Sequence, residues 1–205
     1  MKKIVLGVLS CAVFAWTSDI AGSYIAIKTQ DGNDINTPYM QTDFSKDGKM
    51  LVMGMPMGTW RLDKSKHLII ITSMMNPNAI EKHSIVKQTK DILVLKHNNE
   101  VFTYKKLDMN KAKEYNKNSK LEGTWKFNSK SFSEKITFSL PNSFSYQKED
   151  HTENSTTNSN GSWYYDPKEK SLIISSMMCP LAGKYPVEIK NNTITINNIT
   201  YKKVK

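Results

Sequence analysis

The residues with the most distinctive chemistry in this sequence are methionines. Met53, Met55 and Met57 alternate within the run MLVMGMPM, residues 50–57. Alternate residues of a regular β-strand share one face, and thioether sulfur is a soft ligand that suits Cu(I). Methionine is also an adaptable filler of apolar cores. The run therefore predicts either a packed or ligand-binding strand face, which we favour, or a copper(I) site, which is the alternative.

The other reactive residue types form no recognisable catalytic or metal-binding motif. Histidine spacing does not match H-x-x-x-H or H-E-x-x-H, in which ligands share one helix face. No G-x-S-x-G, phosphate-binding loop or paired acidic motif occurs. We therefore expect no enzyme, no catalytic residue, no metal site and no cofactor. The histidines in question are His67, His83, His97 and His151.

A twenty-residue stretch appears twice and organises the chain. GTWRLDKSKHLIIITSMMNP at residues 58–77 aligns without a gap with GSWYYDPKEKSLIISSMMCP at residues 161–180. Both copies end in Ser-Met-Met-x-Pro, and such a dense match at a fixed offset indicates a tandem duplication. Asp63 and Asp166 occupy the same position in the two copies. Each precedes a predicted turn, where a carboxylate commonly accepts hydrogen bonds from the backbone.

The N-terminus carries the pattern of a secretory signal peptide. Two lysines precede an apolar run at residues 4–16, which is too short to cross a bilayer, and polar residues follow. We expect residues 1–18 to be removed on export to the periplasm or the extracellular space of a bacterium. The alternative is a lipoprotein anchored at Cys11. Loss of the signal would leave Cys179 as the single cysteine, so an intrachain disulfide is not expected.

The charge is basic but dispersed. The chain has 29 Lys and Arg against 19 Asp and Glu, a formal net charge of +10. A clustered basic patch would favour a polyanion as partner, but these lysines are scattered along the sequence. We therefore expect no nucleic-acid partner. No apolar run beyond the signal is long enough for a transmembrane span of the mature chain.

Alternating apolar residues predict an all-β protein. Ile136, Phe138 and Leu140 alternate with polar residues on one side of a Pro-Asn turn, and Phe144 and Tyr146 alternate on the other. Similar short strands, separated by Asp-Gly and Asn-Asn turns, give about eight strands in each half. Eight short antiparallel strands close most economically into an up-and-down barrel, which leaves no exposed edge.

The predicted domains follow from the duplication. Two tandem small antiparallel barrels are expected at residues 19–107 and 121–205. They would be joined by a polar linker at residues 108–120, which lacks strand alternation; a turn of helix at residues 111–115 is the alternative within it. A second polar stretch, residues 149–160, is rich in Ser, Thr and Asn and is predicted to be a loop.

Each half resembles the small lipocalin-like (calycin-type) β-barrel domains of exported bacterial proteins. The resemblance rests on an opening G-[ST]-aromatic, a central G-[ST]-W-x-x-D before an aliphatic strand, and a final aromatic-Lys. In the second half these motifs fall at residues 123–125, 161–166 and 201–202. In the first half they fall at residues 22–24, 58–63 and 104–105.

The resemblance implies a non-catalytic binding protein, which would hold a small apolar ligand or an envelope protein partner. A structural or interaction protein with filled barrels is the alternative, because aromatic residues often plug one end of a small barrel. The candidate ligand-binding residues of the barrel interiors are Trp60, Met53, Met55, Met57, Trp125 and Trp163.

Overall fold

A computed structural model describes residues 20–30 and 39–204. The predicted signal peptide, residues 1–18, and the alternative anchor at Cys11 lie outside the described residues. Within them the chain is all-β with one short helix, and its strands form two antiparallel sheets in sequence order. The predicted fold class is thereby confirmed.

The first half is a closed eight-stranded barrel in which each strand pairs with the next and the last pairs with the first. This up-and-down order is what short hairpin connections produce, and closure pairs both edges of the sheet. Its strands are β1 Gly22–Gln30, β2 Gln41–Phe44, β3 Lys49–Val52, β4 Met55–Asp63, β5 Leu68–Ser73, β6 Ile80–Gln88, β7 Ile92–His97 and β8 Glu100–Leu107.

The second half is a curled nine-stranded sheet with the order β14-β13-β12-β11-β10-β9-β17-β16-β15. It follows a helix, α1, at Met109–Asn118. The strands are β9 Gly123–Asn128, β10 Phe132–Ser139, β11 Ser143–Asp150, β12 Ser155–Asp166, β13 Ser171–Ser175, β14 Gly183–Pro186, β15 Ile189–Lys190, β16 Thr193–Ile196 and β17 Ile199–Lys203.

The two edge strands of the second sheet correspond to one continuous strand of the first. The amide of Ile85 in β6 donates to His67 O, and the amide of Val187 donates to the equivalent Lys170 O, both at 2.9 Å. On its other side, β6 continues past Ile85 and pairs with β7 again after a one-residue bulge between Ile85 and Lys87. In the second half Pro186, which has no N–H to donate, ends β14 just before Val187. The hydrogen-bonded ladder of the second half is therefore interrupted where that of the first half is only bulged.

The predicted turns are confirmed by their backbone conformations. Asn191, Asn192, Asn197 and Asn198 have φ values of 46°, 63°, 49° and 64°, the left-handed region that two-residue hairpin turns need and that asparagine tolerates. The repeated aspartates form the expected turns: Asp63 Oδ1 accepts from Lys66 N at 3.2 Å, and Asp166 Oδ1 accepts from Lys168 N at 2.9 Å.

The glycine that opens the repeated stretch is required by close approach of two strands. A Cβ atom at Gly58 would lie 2.1 Å from Thr72 O, and one at Gly161 would lie 2.1 Å from Ser175 O. Both neighbours are backbone carbonyls of the next strand and cannot rotate away. The glycine that opens each copy of the repeated stretch is therefore required by the structure.

Two local predictions were wrong. Met53, Met55 and Met57 do not lie along one regular strand face, because Met53 has a φ of 54° and forms the β3–β4 turn with Gly54. A register shift in the β3–β4 ladder at Met50/Leu51 adds a second irregularity. The polar stretch at residues 149–160 is not a loop: β11 and β12 pair through it, with only a short turn between them.

The polar segment between the halves forms α1 and packs between them. Asp108 caps the helix by accepting from the amides of Asn110 and Lys111, each at 3.2 Å. Ala112 of the helix is buried together with Ile25 of β1 and Tyr164 of β12. The segment expected as a simple linker therefore provides a small apolar contact that touches both halves.

Buried hydrogen bonds reinforce this seam. The Asn116 side chain donates to Pro141 O at 2.8 Å and to Trp163 O at 3.0 Å, and accepts from Tyr165 N at 2.9 Å. Across the seam, the backbone N–H of Gln41 donates to Ser175 Oγ at 2.9 Å. The Tyr164 hydroxyl donates to the side-chain Oε1 of Gln41. Burial raises the pKa of Tyr164 to about 12, so the phenol remains protonated and able to donate at neutral pH.

Candidate functional site

Two of the candidate tryptophans lie in the centre of the second half. Trp125 and Trp163 are 0% exposed and belong to its apolar core. Their indole N–H groups donate to Leu121 O at 2.8 Å and to Ser139 O at 3.1 Å. An indole that is enclosed and hydrogen-bonded in this way fills the interior of the sheet.

The third candidate tryptophan occupies the equivalent place in the first half but is less enclosed. Trp60 is half-buried, packs edge-on against Phe44 with a ring-centroid distance of 5.4 Å, and donates from Nε1 to Ser45 O at 2.9 Å. It contacts the core of the first barrel, which includes Ile69 and Leu95. The structure thus places all three tryptophans in or against packed cores.

The candidate methionines separate. Met53 and Met55 line a surface cleft of about 500 Å³, whereas Met57 does not. Met57 instead contributes its carbonyl, which accepts from Met74 N at 2.9 Å. The structure brings Met53 and Met55 together, but on a surface between the halves and not in a barrel core.

The second half supplies the facing wall of this cleft. Met177 and Met178, from the loop after β13, complete a set of four methionines around the cavity. We call this the methionine cleft; its lining residues are Met53, Met55, Asn158, Ser159, Asn160, Gly161, Ser176, Met177 and Met178.

Hydrogen bonds hold the wall of the second half in place. Ser159 Oγ donates to Met178 O at 3.2 Å, and Ser176 Oγ donates to Asn160 O at 2.8 Å. The loop that carries Met177 and Met178 is therefore fixed to β12 on one side of the cleft. The methionine side chains themselves project from this fixed backbone.

The Ser-Met-Met-x-Pro motif exposes its methionines in both repeats. Met74 and Met75 are 63% and 88% exposed, and Met177 and Met178 are 47% and 84% exposed. Large apolar side chains on a soluble surface commonly mark contact sites when they are grouped. The repeated motif was recognised in the sequence, but its methionines were not among the candidate site residues. Nothing in it showed that the second copy faces Met53 and Met55 while the first copy does not.

A smaller cavity of about 150 Å³ lies at the seam between the halves. Its apolar walls include Ile25, Leu107, Ala112 and Ile173. Lys105 and Asp166, 3.8 Å apart, link the two halves at its rim. A cavity of this size holds about one aromatic ring, so it is a minor site beside the methionine cleft.

The single cysteine of the described residues does not form a reactive centre. Cys179 is buried in the core of the second half, and its sulfur accepts from Leu181 N at 3.4 Å. Burial raises the pKa of the thiol to about 11. The nucleophilic thiolate is therefore a minor species at neutral pH.

In the part of the chain that the structure describes, no helix has the length and apolar character to cross a membrane. Comparison with protein-family models gave no match. Curated proteins and solved structures gave no significant match either.

Proposed function

We propose that this chain is an exported, non-catalytic bacterial binding protein built from two lipocalin-like β-barrel units, and that it holds a small apolar ligand in the methionine cleft. One observation carries the proposal: four methionines from the two halves line a single cavity of about 500 Å³. The tryptophans, by contrast, are used in packing the cores.

The size and chemistry of the cleft support a small-molecule ligand. Ligand pockets have volumes of about 300–1,000 Å³ and combine apolar walls with a few polar groups. Here the apolar part is methionine, and Asn158, Ser159 and Asn160 provide the polar groups. Methionine side chains are unbranched and polarizable, so they adjust to ligands of different shape. The cleft is thus suited to a flexible or variable apolar molecule.

The second candidate function is binding of Cu(I) by the same methionines. The favouring observation is that thioethers from two distant segments, at Met53 and Met55 and at Met177 and Met178, line one cavity. Thioethers are soft donors, and Cu(I) prefers them to oxygen ligands. Partial exposure of the side chains leaves the sulfurs accessible to an ion.

The first experiment tests whether the cleft binds apolar molecules. The neutral fluorophore N-phenyl-1-naphthylamine should bind saturably and gain fluorescence. A Met177→Asp, Met178→Asp variant should weaken that binding at least tenfold, because it places two charges at the apolar wall. The matched control is Met74→Asp, Met75→Asp, which alters the same motif in the first repeat, outside the cleft, and should leave binding unchanged. Equal loss in both variants, or no saturable binding in the native protein, would contradict the proposal.

A second experiment separates the apolar ligand from the metal. Changing Met53, Met55, Met177 and Met178 together to leucine conserves apolar volume but removes every thioether of the cleft. If the cleft holds an apolar molecule, fluorophore binding persists in this variant. If it is a copper site, Cu(I) binding, measured anaerobically by competition with bicinchoninate, is present in the native protein and lost in the variant.

Export is tested by the mass of the mature chain. Protein isolated from the periplasm or medium should lack about the first 18 residues, as expected for a cleaved signal peptide. A mass beginning at Cys11 with attached acyl chains, recovered from the membrane fraction, would instead establish the lipid-anchored alternative.

A further inference from the structure

Three metal-ligating side chains meet at one end of the first barrel. Glu81 and His83 lie on β6, and His97 is the last residue of β7. One ligand atom from each lies within 4.8 Å of the corresponding atoms of the other two. The imidazole rings of His83 and His97 stack with a centroid distance of 4.5 Å.

These side chains occupy inward-facing positions of the barrel. In the β5–β6 ladder, His83 pairs with Ile69 and Glu81 pairs with Ile71. Directly paired residues share a face of the sheet, and both isoleucines belong to the apolar core. In β7, His97 continues the inward alternation of Leu93 and Leu95. Polar side chains that can bind a metal therefore occupy interior positions of a barrel whose core is otherwise apolar.

Hydrogen bonds orient the two imidazoles. His97 Nδ1 lies 3.3 Å from Lys82 O, and because a carbonyl only accepts, Nδ1 carries the proton. The lone pair of neutral His97 is then on Nε2, as in metal sites where a carbonyl fixes the ligand tautomer. His83 Nε2 lies 3.1 Å from Glu81 Oε2, a separation close to the roughly 3.3 Å between two ligands of tetrahedral zinc.

We propose that Glu81, His83 and His97 form a binding site for a divalent transition-metal ion, with zinc as the ion of choice. Two imidazoles and one carboxylate form a ligand set that Zn²⁺ accepts, and they leave a further position for water. Bringing the three atoms from at most 4.8 Å to ligand spacing requires a closure of up to about 1.5 Å. The side chains of Glu81 and His83 are 51% and 12% exposed, so an ion can reach the site from the barrel mouth.

The affinity is limited by the environment of His83. Its Nδ1 is buried without a hydrogen-bond partner. An ion on Nε2 requires the lone pair of that nitrogen, so the single proton of the neutral ring must move from Nε2 to Nδ1. A buried donor without an acceptor costs free energy. We therefore expect a dissociation constant in the micromolar range, weaker than that of a structural zinc site.

The second half provides an internal comparison, because it lacks all three ligands. In its β13–β14 ladder, Gly183 pairs with Ile174 and Tyr185 pairs with Leu172, at the places of Glu81 and His83. The β16–β17 ladder has four pairs, whereas the β7–β8 ladder has six. His97 lies in the two additional pairs of the longer hairpin. The cluster is thus specific to the first barrel.

Sequence spacing does not reveal this site. Glu81 and His83 lie two residues apart on β6, and His97 lies at the far end of β7, so the three residues match no helical metal-binding motif. Only the antiparallel pairing of β6 with β7 brings His97 beside His83.

The test uses the purified protein without a polyhistidine tag. Isothermal titration with Zn²⁺ should show one site, and Co²⁺ should give visible absorption bands of a low-coordinate complex. Changing His97→Gln should weaken binding at least tenfold, and Glu81→Gln should weaken it less. His151→Gln is the matched control, since His151 Nδ1 also lies 3.3 Å from a backbone carbonyl, that of Lys130 in the second half.

The control variant should bind Zn²⁺ as the native protein does. The Glu81 and His97 variants should retain the native melting temperature without metal, because both side chains lie at the partly exposed barrel mouth. Absence of saturable Zn²⁺ binding would overturn the proposal. So would unchanged binding in His97→Gln, or an equal loss in His151→Gln.

Discussion

The two halves of this protein share a duplicated sequence but seal their interiors differently. The first half closes its hydrogen-bonded ladder completely, yet one mouth of its barrel is lined by Glu81, His83 and His97. The second half leaves its ladder open between β14 and β15, yet Cys179 and Leu181 fold inward over the corresponding end and join its core.

The difference shows that ladder closure and core sealing are separate properties. Closure satisfies the backbone groups of edge strands, whereas sealing depends on which side chains cover the barrel ends. Asn76, in the loop after β5, is exposed, while its equivalent Cys179 and the nearby Leu181, in the loop after β13, are buried. The second half is consequently enclosed by side chains, and the first half retains an accessible polar mouth.

A buried carboxylate adds to the contrast. Glu134 of the second half is buried and accepts hydrogen bonds from the hydroxyls of Tyr146, at 2.8 Å, and Tyr201. Burial, followed by the contact with Glu134, raises the pKa of both tyrosines. Such a satisfied polar network makes the core specific, because removal of one partner leaves another buried group unpaired.

The largest expected loss of stability comes from comparing the fully buried Trp163 with the half-buried Trp60. Trp163→Ala should lower the free energy of unfolding by about 3 to 5 kcal/mol, because it empties a fully buried site. Trp60→Ala should cost less, since Trp60 is half-buried. Chemical denaturation with separate reporters for the two halves measures both. A larger loss for Trp60→Ala would reverse the contrast in packing between the halves.

The second-largest expected loss of stability concerns the loop after β13, whose side chains close one end of the second half. Leu181→Ala should cost about 2 to 3 kcal/mol because Leu181 is 3% exposed within the core. Ile80, the first residue of β6 after the equivalent loop of the first half, is 59% exposed, so Ile80→Ala should change stability by no more than about 0.5 kcal/mol. Similar values for the two variants in thermal or denaturant unfolding would show that the loop after β13 is not a cover.

The carboxylate network predicts a smaller, pH-dependent effect. Tyr201→Phe removes a donor to buried Glu134 and should cost about 1.5 to 2 kcal/mol at neutral pH. Because folding raises the pKa of Tyr146 and Tyr201, their contribution to stability is complete below the unfolded value of about 10 and declines as the pH rises above it.

The alkaline decline should be measurable as a falling melting temperature above about pH 10, and it should be shallower in the Tyr201→Phe variant. An identical slope in the native protein and the variant would indicate that Tyr201 ionises as it does in the unfolded chain.

The smallest effect concerns the repeated turn. Asp63→Ala removes the carboxylate that accepts from Lys66 N at 3.2 Å in an exposed turn, so we expect only a slight fall in the denaturation midpoint. Asp166→Ala should cost slightly more, because Asp166 also lies 3.8 Å from Lys105 across the seam. If neither substitution changes the denaturation midpoint, the repeated aspartate has no role in stability.

Much of the architecture was predictable because its causes are local. Alternation of apolar residues predicts strands, and asparagine pairs such as Asn191–Asn192 predict turns, since each signal acts within a few residues. The duplication predicted that the halves would share one fold. The same reasoning failed at Met53, where a left-handed residue turns the chain. For residues 109–118 it favoured a linker with at most one turn of helix, because few apolar residues mark the ten-residue helix that forms there.

By itself, the sequence determined the all-β class, the repeat, the turns and the aromatic residues of the cores. Tertiary structure alone decided that Met53 and Met178 would line one cavity and that Gln41 would form a hydrogen bond with Ser175. It also decided that His97 would lie beside His83. The physical reason is distance along the chain: backbone preferences act between neighbours in sequence. Cavities and ligand clusters, in contrast, form only where strand pairing and packing bring distant residues to one place.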